Sequence, residues 1–261
     1  MSGREPSGSG LPRVTWLGHA TVLIEIGGTR ILTDPVLRDP VGVLRRRRDL
    51  PPVPVLPEID AVLLSHLHHD HADLPSLRTV APAPILTQIG NAQWVRHQGL
   101  LAPEVDQTGW HSVTAEVQVR LVAAVHRARP MPHRPNGAVG MLVRGGGRVI
   151  WFAGDTSLYP GMADLPKIAG APIDLALLPV GGWGPRLSAG HMGPEEATEA
   201  AALTSAYTVV PIHFGTLHPR GWPSGRLGWS TAPGERLPAL LAEGSHATAR
   251  VLPVGGSLTL R

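Results

Sequence analysis

Five ionisable side chains, His66, His68, His69, Asp70 and His71, fall within six positions directly after a short apolar run, and any fold for this chain must find partners for them. Imidazoles and carboxylates are costly to bury unless they are paired or bound to metal. The preceding residues 59–65 (IDAVLLS) follow Pro57 and read as a buried strand, so the cluster sits at a strand end. In an extended chain His66 and His68 point the same way, and one ion can take both. Asp70 and His71 come after the chain turns and can serve a second ion beside the first. Neutral imidazoles with carboxylate oxygens suit zinc first, with manganese or iron as alternatives.

Two ions need more ligands, and the chain offers them at the ends of further apolar runs. Residues 119–125 lead into His126, residues 149–153 into Gly154-Asp155-Thr156, and residues 209–212 into His213. Other strands are predicted at 83–87, 117–124, 138–143, 148–153, 173–179, 209–212 and 249–253. Residues 14–26, Gly27-Gly28 and 30–33 read as two β-rich runs around a hairpin turn. Helices are predicted at 91–98, 194–203 and 234–242. In the second, Pro194 suits the first turn, and Glu195 and Glu196 favour the positive end of the helix dipole. Residues 35–58, with six prolines, read as an irregular loop. Strands dominate with helices between them, no repeat is visible, and one α/β domain over 13–261 is expected behind a flexible tail at 1–12.

The order His66-x-His68-x-Asp70-His71, then His126, Asp155 in a GDT turn and His213 in an IHFGT turn, resembles the ligand set of the metallo-β-lactamase-fold hydrolases. Trp16-Leu17-Gly18-His19-Ala20-Thr21, Leu32-Thr33-Asp34-Pro35 and His191-Met192-Gly193-Pro194-Glu195-Glu196-Ala197 are similar to the N-acylphosphatidylethanolamine phospholipase D-like and ascorbate-phosphate lactonase-like branch. The resemblance runs from about Val14 to Thr216. It implies a four-layer αββα sandwich (α/β, α+β) with the site at one edge of the sheets. It also implies one ion on His66, His68 and His126, a second on Asp70, His71 and His213, and Asp155 bridging both. Arg127-Ala128-Arg129 departs from the aromatic residue and Ser that follow this position in the phospholipase-like relatives, which weighs against a phospholipid substrate.

The remaining composition narrows partners more than chemistry. The chain has 261 residues and no cysteine, so neither disulfides nor thiolate ligands exist. Net charge is +3, which does not call for nucleic acid. The run Arg45-Arg46-Arg47-Arg48 reads as a solvated loop, with an anion-attracting loop as the alternative. No uncharged apolar stretch reaches the ~18–20 residues of a membrane span, so a soluble, cytoplasmic protein is the default expectation.

The expected reaction is hydrolysis of an ester-type bond, phosphodiesterase-like or lactonase-like, in a small-molecule or lipid-like anionic substrate. A water bridging two divalent ions is acidified, so hydroxide is available near neutral pH. Asp70 is expected to orient the nucleophile, and His191 or His19 to protonate the leaving group. Asp34 is expected to orient a metal ligand from behind. Arg127, Arg129 and His133 are candidate substrate contacts, and the loop at 35–58 a wall of the cleft. Two other classes compete: an iron-dependent redox enzyme, which His68 disfavours because such diiron relatives tend to carry Glu there, and a non-catalytic metal-binding module.

Overall fold

Two residues of left-handed backbone split the alternating run at the start of the chain into a pair of strands. In the computed structural model, which describes residues 10–126, 134–135, 137–222 and 228–261, β1 (Arg13–Gly18) and β2 (Thr21–Ile26) run antiparallel about Gly18 at φ +116° and His19 at φ +51°. β3 (Thr29–Thr33) completes the hairpin expected at Gly27-Gly28, where both glycines take positive φ. The loop that follows contains a strand of its own, β4 (Leu44–Arg46). Next come β5 (Ala61–Leu63), α1 (Leu74–Thr79), β6 (Ile85–Leu86) and α2 (Ile89–His97). β7 (His111–Ser112), β8 (Gln118–Ala123), β9 (Val139–Gly145) and β10 (Arg148–Phe152) form antiparallel neighbours. A 3-10 turn (Pro160–Asp164) leads into α3 (Leu165–Ala169), β11 (Leu175–Pro179), α4 (Pro194–Leu203), β12 (Thr208–Ile212) and β13 (Leu217–Pro219). The chain ends with α5 (Gly228–Gly244), β14 (Thr248–Ala249) and β15 (Ser257–Thr259).

These strands make a six-stranded sheet in the order β15-β1-β2-β3-β5-β6 and a seven-stranded sheet in the order β14-β12-β11-β10-β9-β8-β7. Side chains alternate across a strand, and here the alternation sorts residues into two cores. Val22, Ile24, Ile31 and Leu63 face the second sheet, packing with Val119, Met141, Ile150 and Phe152. Leu23, Leu32, Val62 and Leu64 face outward onto Leu77 of α1 and Ala92 and Val95 of α2. On the far side α4 packs on β11 and α5 on β12 and β14. The layers are therefore α, β, β, α. β11 is buried at every position because helices and the partner sheet cover both of its faces, as parallel strands require.

Local signals missed some elements. α1 and α3 are only six and five residues long, too short to carry a 3.6-residue pattern. The expected strand at 249–253 shrinks to β14, because Pro253 and Gly255-Gly256 turn the chain before β15 pairs with β1. α5 begins earlier than expected and runs through Pro233 and Pro238, held by the burial of Leu237 and Leu241.

Gly154 sits where β10 ends and the chain must turn toward the cluster. It takes φ +61°, and an added Cβ would lie 2.6 Å from Ser65 Cβ. Gly147, in the β9–β10 turn, also takes positive φ (+71°) but has nothing within 4 Å of an added Cβ. Gly147→Ala is expected to cost about 1–2 kcal/mol for the left-handed backbone. Gly154→Ala should cost about 1–3 kcal/mol more for overpacking. Denaturant unfolding of the two variants checks this; equal losses would mean that Ser65 yields freely.

Candidate metal centre

The expected ligands gather because their strands end at one edge. His66 follows β5, His126 follows β8, Asp155 follows β10 and His213 follows β12. Hydrogen bonds stitch these ends together: Val125 N donates to the Thr156 side-chain Oγ1 (2.9 Å), Ser157 N to Val125 O (2.8 Å) and His213 N to His19 O (2.9 Å). His71 N and Ala72 N both donate to His68 O, which makes the turn that separates the two halves of the HxHxDH run.

Two groups of donor atoms result. His66 Nε2 lies 3.0 Å from His68 Nδ1, which lies 3.3 Å from His126 Nε2. Beside them, His71 Nε2 and His213 Nε2 are 3.1 Å apart, and each is 3.7 Å from Asp70 Oδ2. Asp155 touches both groups. Its Oδ2 is 3.8 Å from His66 Nε2 and 3.1 Å from His71 Nε2, and its Oδ1 is 3.3 Å from His213 Nε2.

What lies behind the rings fixes their tautomers. His126 Nδ1 donates to Gly190 O and His213 Nδ1 to Gly181 O, both at 2.8 Å. His71 Nδ1 donates to Asp34 Oδ2 at 2.6 Å. Ser65 Oγ gives its proton to Asp34 Oδ2 (2.5 Å) and so accepts from His66 Nδ1 (3.0 Å). Four neutral imidazoles assigned in this way turn bare Nε2 lone pairs on one another inside a buried space. Asp155 Oδ1 is likewise buried with no donor aligned on it. Lone pairs facing lone pairs repel, and either added protons or a divalent cation among them removes the repulsion. The donor set therefore fits metal.

The electrostatics follow from the same crowding. Burial drives the imidazole of His68 down to about 4 and that of His66 well below the usual range, with the charge of His71 adding to the effect. Burial opposes ionisation of Asp155 and Asp70, but the neighbouring histidines outweigh it and hold both carboxyls well below the usual range. Burial also lowers His213, yet Asp155 raises it more, to about 9. In the absence of a cation the carboxylates thus pull protons onto the rings they face, and a metal ion would compete for the same lone pairs.

A cleft of about 400 Å³ opens above this floor. Its walls come from Val41–Leu44 on one side and Trp183, Arg186, Leu187 and Ser188 on the other, with His68, Asp70, His191 and His213 below. His191 faces it, with Nε2 3.1 Å from Asp155 Oδ2 and Nδ1 beside Ser188 Oγ (3.0 Å). His19 is 2% exposed, sits behind Asp70 with Nε2 3.0 Å from Asp70 Oδ2, and is absent from the described residues lining the cleft.

The seven candidate metal donors thus lie together, and Asp34 lies behind His71. Arg127, Arg129 and His133 lie outside the described residues. Three of the four arginines in the run are occupied elsewhere. Arg45 pairs with Asp39 (3.0 Å), Arg46 donates to Pro51 O, and Arg47 holds Asp49 and Gly215 O. β4 pairs with β13, so the run clamps the cleft wall onto the turn after His213. The expectation that the loop walls the cleft holds for Val41–Leu44.

Two further residues matter that sequence patterns did not single out. Ser65 relays between Asp34 and His66. Arg134 Nη1 donates to Leu67 O (2.9 Å) and Ala72 O (3.2 Å), pinning the HxHxDH loop while its guanidinium lies 4.6 Å from the centre of the Trp94 ring. Both act across the fold, where no local spacing announces them.

Comparison with known proteins gives one consistent picture. Residues 29–214 match the family described as the Beta-lactamase superfamily domain. The chain is 31% identical over 211 residues to a metal-dependent hydrolase of Ligilactobacillus salivarius, covering 79% of this chain and 87% of that protein. It is 29% identical over 252 residues to the N-acyl-phosphatidylethanolamine-hydrolyzing phospholipase D 1 of Caenorhabditis elegans, covering 87% and 69%. Igni18, a metallo hydrolase of Ignicoccus hospitalis, superposes with a TM-score of 0.72 at 21% identity, covering 96% of this chain and 98% of that one. An uncharacterized protein of Mycobacterium tuberculosis is 33% identical over 82% of this chain, which spans about 62% of that relative's length.

The outer carboxylate offers a direct check. Asp34→Ala removes the acceptor of His71 Nδ1 and of Ser65, freeing two rings to rotate. Loss of such a partner typically weakens metal by about 10- to 100-fold. Chelator competition should show this shift with the fold intact; an unchanged midpoint would mean that the rings are oriented without Asp34.

Proposed function

This chain belongs to the β-lactamase superfamily of metal-dependent hydrolases, and from that membership we propose that it holds two divalent ions, zinc first, and hydrolyses an ester-type bond in an anionic small molecule or lipid-like substrate. The observation that carries the reading is Asp155 lying within reach of both donor groups on the floor of one cleft. His66, His68 and His126 would hold one ion; Asp70, His71 and His213 the other; Asp155 both. Bound there, the ions would make hydroxide available near pH 7 and draw charge from the scissile oxygen.

The chain's own groups supply the rest. Asp70 lines the cleft floor and orients the attacking water. The water gives up one proton to bulk solvent, its oxygen bonds to the carbonyl carbon or phosphorus, and the bond to the leaving oxygen breaks. His191 Nε2, at the cleft surface and steadied by Ser188, gives the proton to that oxygen. Its exposed side favours this role over His19, which the substrate does not reach.

The cleft walls suggest what the substrate looks like beyond the reacting bond. Val43 (72% exposed), Trp183 (40%) and Leu187 (43%) offer apolar surface on both sides, and Arg186 is the one Arg or Lys among the described lining residues. An anion with an apolar substituent matches that pairing. A cavity of this size is typical of small-ligand sites.

Two measurements follow. Protein prepared without chelator should contain about two ions per chain, and Asp155→Ala should lose at least one of them. In a series of anionic esters, kcat/KM should rise about three- to fourfold per added methylene until the cleft is filled, and Trp183→Ala should flatten the trend. Arg186→Ser should lower the preference for an anionic ester over its neutral analogue by about 2- to 5-fold, an effect that salt erodes in wild type. Equal rates across the series in both proteins would remove the apolar contact. A neutral ester preferred at every salt concentration would remove the anion.

A further inference from the structure

His19 adopts a backbone that histidine rarely takes, at φ +51°, and three hydrogen bonds hold it there. Its amide donates to Thr216 Oγ1 (3.0 Å), and its carbonyl accepts from Trp16 Nε1 (2.9 Å) and from His213 N (2.9 Å). His213 is itself left-handed, at φ +61°, and the two rings lie against each other, tilted by 39°, with centroids 4.0 Å apart. The contact between them ties the turn after β1 to the turn after β12, two segments that no sheet pairing joins. Trp16 extends the tie by stacking on Phe214, at 5.1 Å between centroids.

The ring points the other way from solvent. His19 Nε2 is 3.0 Å from Asp70 Oδ2, whereas His71 and His213 Nε2 are each 3.7 Å from that oxygen. At that distance the His19 ring is placed to give Asp70 Oδ2 a hydrogen bond from the side away from the cleft. Carboxylates that bind metal are themselves held by such donors.

We propose that His19 is the positioning residue of the second metal half-site, holding Asp70 with its ring and His213 with its carbonyl. One residue then fixes two of the four donors assigned to that ion, the shared Asp155 included, and none of those assigned to the other. The inference rests on the two-ion reading above. It predicts a lopsided phenotype: loss of the His19 ring loosens one ion and spares its neighbour. The strain at His19 is retained because only a left-handed residue presents ring and carbonyl to both targets at once.

The test uses the full chain loaded with zinc and titrated with chelator, reading metal content and thermal unfolding. His19→Asn tolerates the left-handed backbone and keeps the carbonyl, but its amide is too short to reach Asp70. His19→Gln restores a donor at about the reach of Nε2. Wild type should release its ions in two steps. In His19→Asn one step should move to at least 10-fold lower chelator while the other stays within about 3-fold, and His19→Gln should recover most of the shift. His19→Ala, if it folds, should behave as His19→Asn or worse. Unchanged steps in His19→Asn would overturn the proposal. So would an equal shift of both steps, or a folded His19→Gln as defective as His19→Asn. A wild type that releases only one ion would sink the two-ion reading itself, a result distinct from any of these.

Discussion

Four imidazoles whose inward nitrogens are crowded against one another are the constraint around which this molecule is arranged. Each ring has spent its single proton on a partner behind it: Asp34, Ser65, Gly181 O or Gly190 O. The inward nitrogens then face one another, and two carboxylates, Asp70 and Asp155, add negative charge between them that draws either protons or a cation into the space. In a buried space the arrangement is unfavourable unless a cation occupies it. The structure therefore commits hydrogen bonds in its outer layer to keep an inner layer electron-rich.

The scaffold explains how such crowding is tolerated. Strands buried on both faces end at one edge, and the donors sit just past those ends, where they take little part in the core. The loops that carry them are bonded to one another rather than to solvent. Arg134 grips the HxHxDH loop, Thr156 grips the approach to His126, and Arg47 and β13 secure the turn after His213. The arginine run thus serves the cleft wall mechanically, through Asp39, Asp49 and Gly215, before it serves any substrate electrostatically.

Much of this was legible in the sequence, for identifiable reasons. Apolar runs ending in His66, His126, Asp155 and His213 mark strand ends, and α4 announces itself by Pro194 followed by two glutamates. Spacing alone also separates His66 and His68 from Asp70 and His71. What stayed hidden depends on distance in the chain. Nothing near Ser65 shows that Asp34, 31 residues earlier, will accept from it. Nothing near His19 shows that its ring will turn inward beneath Asp70, and so it read as a proton donor. The arginines read as free charge because their acceptors are backbone carbonyls and acids brought close only by the β4–β13 pairing. α1 and α3 stayed hidden because one or two turns carry no periodic signal.

The central claim is that two cations occupy two adjacent sets of donors with Asp155 between them. Anomalous diffraction from crystals grown with manganese or zinc, recorded on both sides of the metal edge, tests it directly. The account predicts two peaks, one against His66 Nε2, His68 Nδ1 and His126 Nε2, the other against Asp70, His71 and His213, with Asp155 reaching both. A single peak in metal-saturated crystals, or an Asp155 carboxylate turned away from either peak, would contradict it.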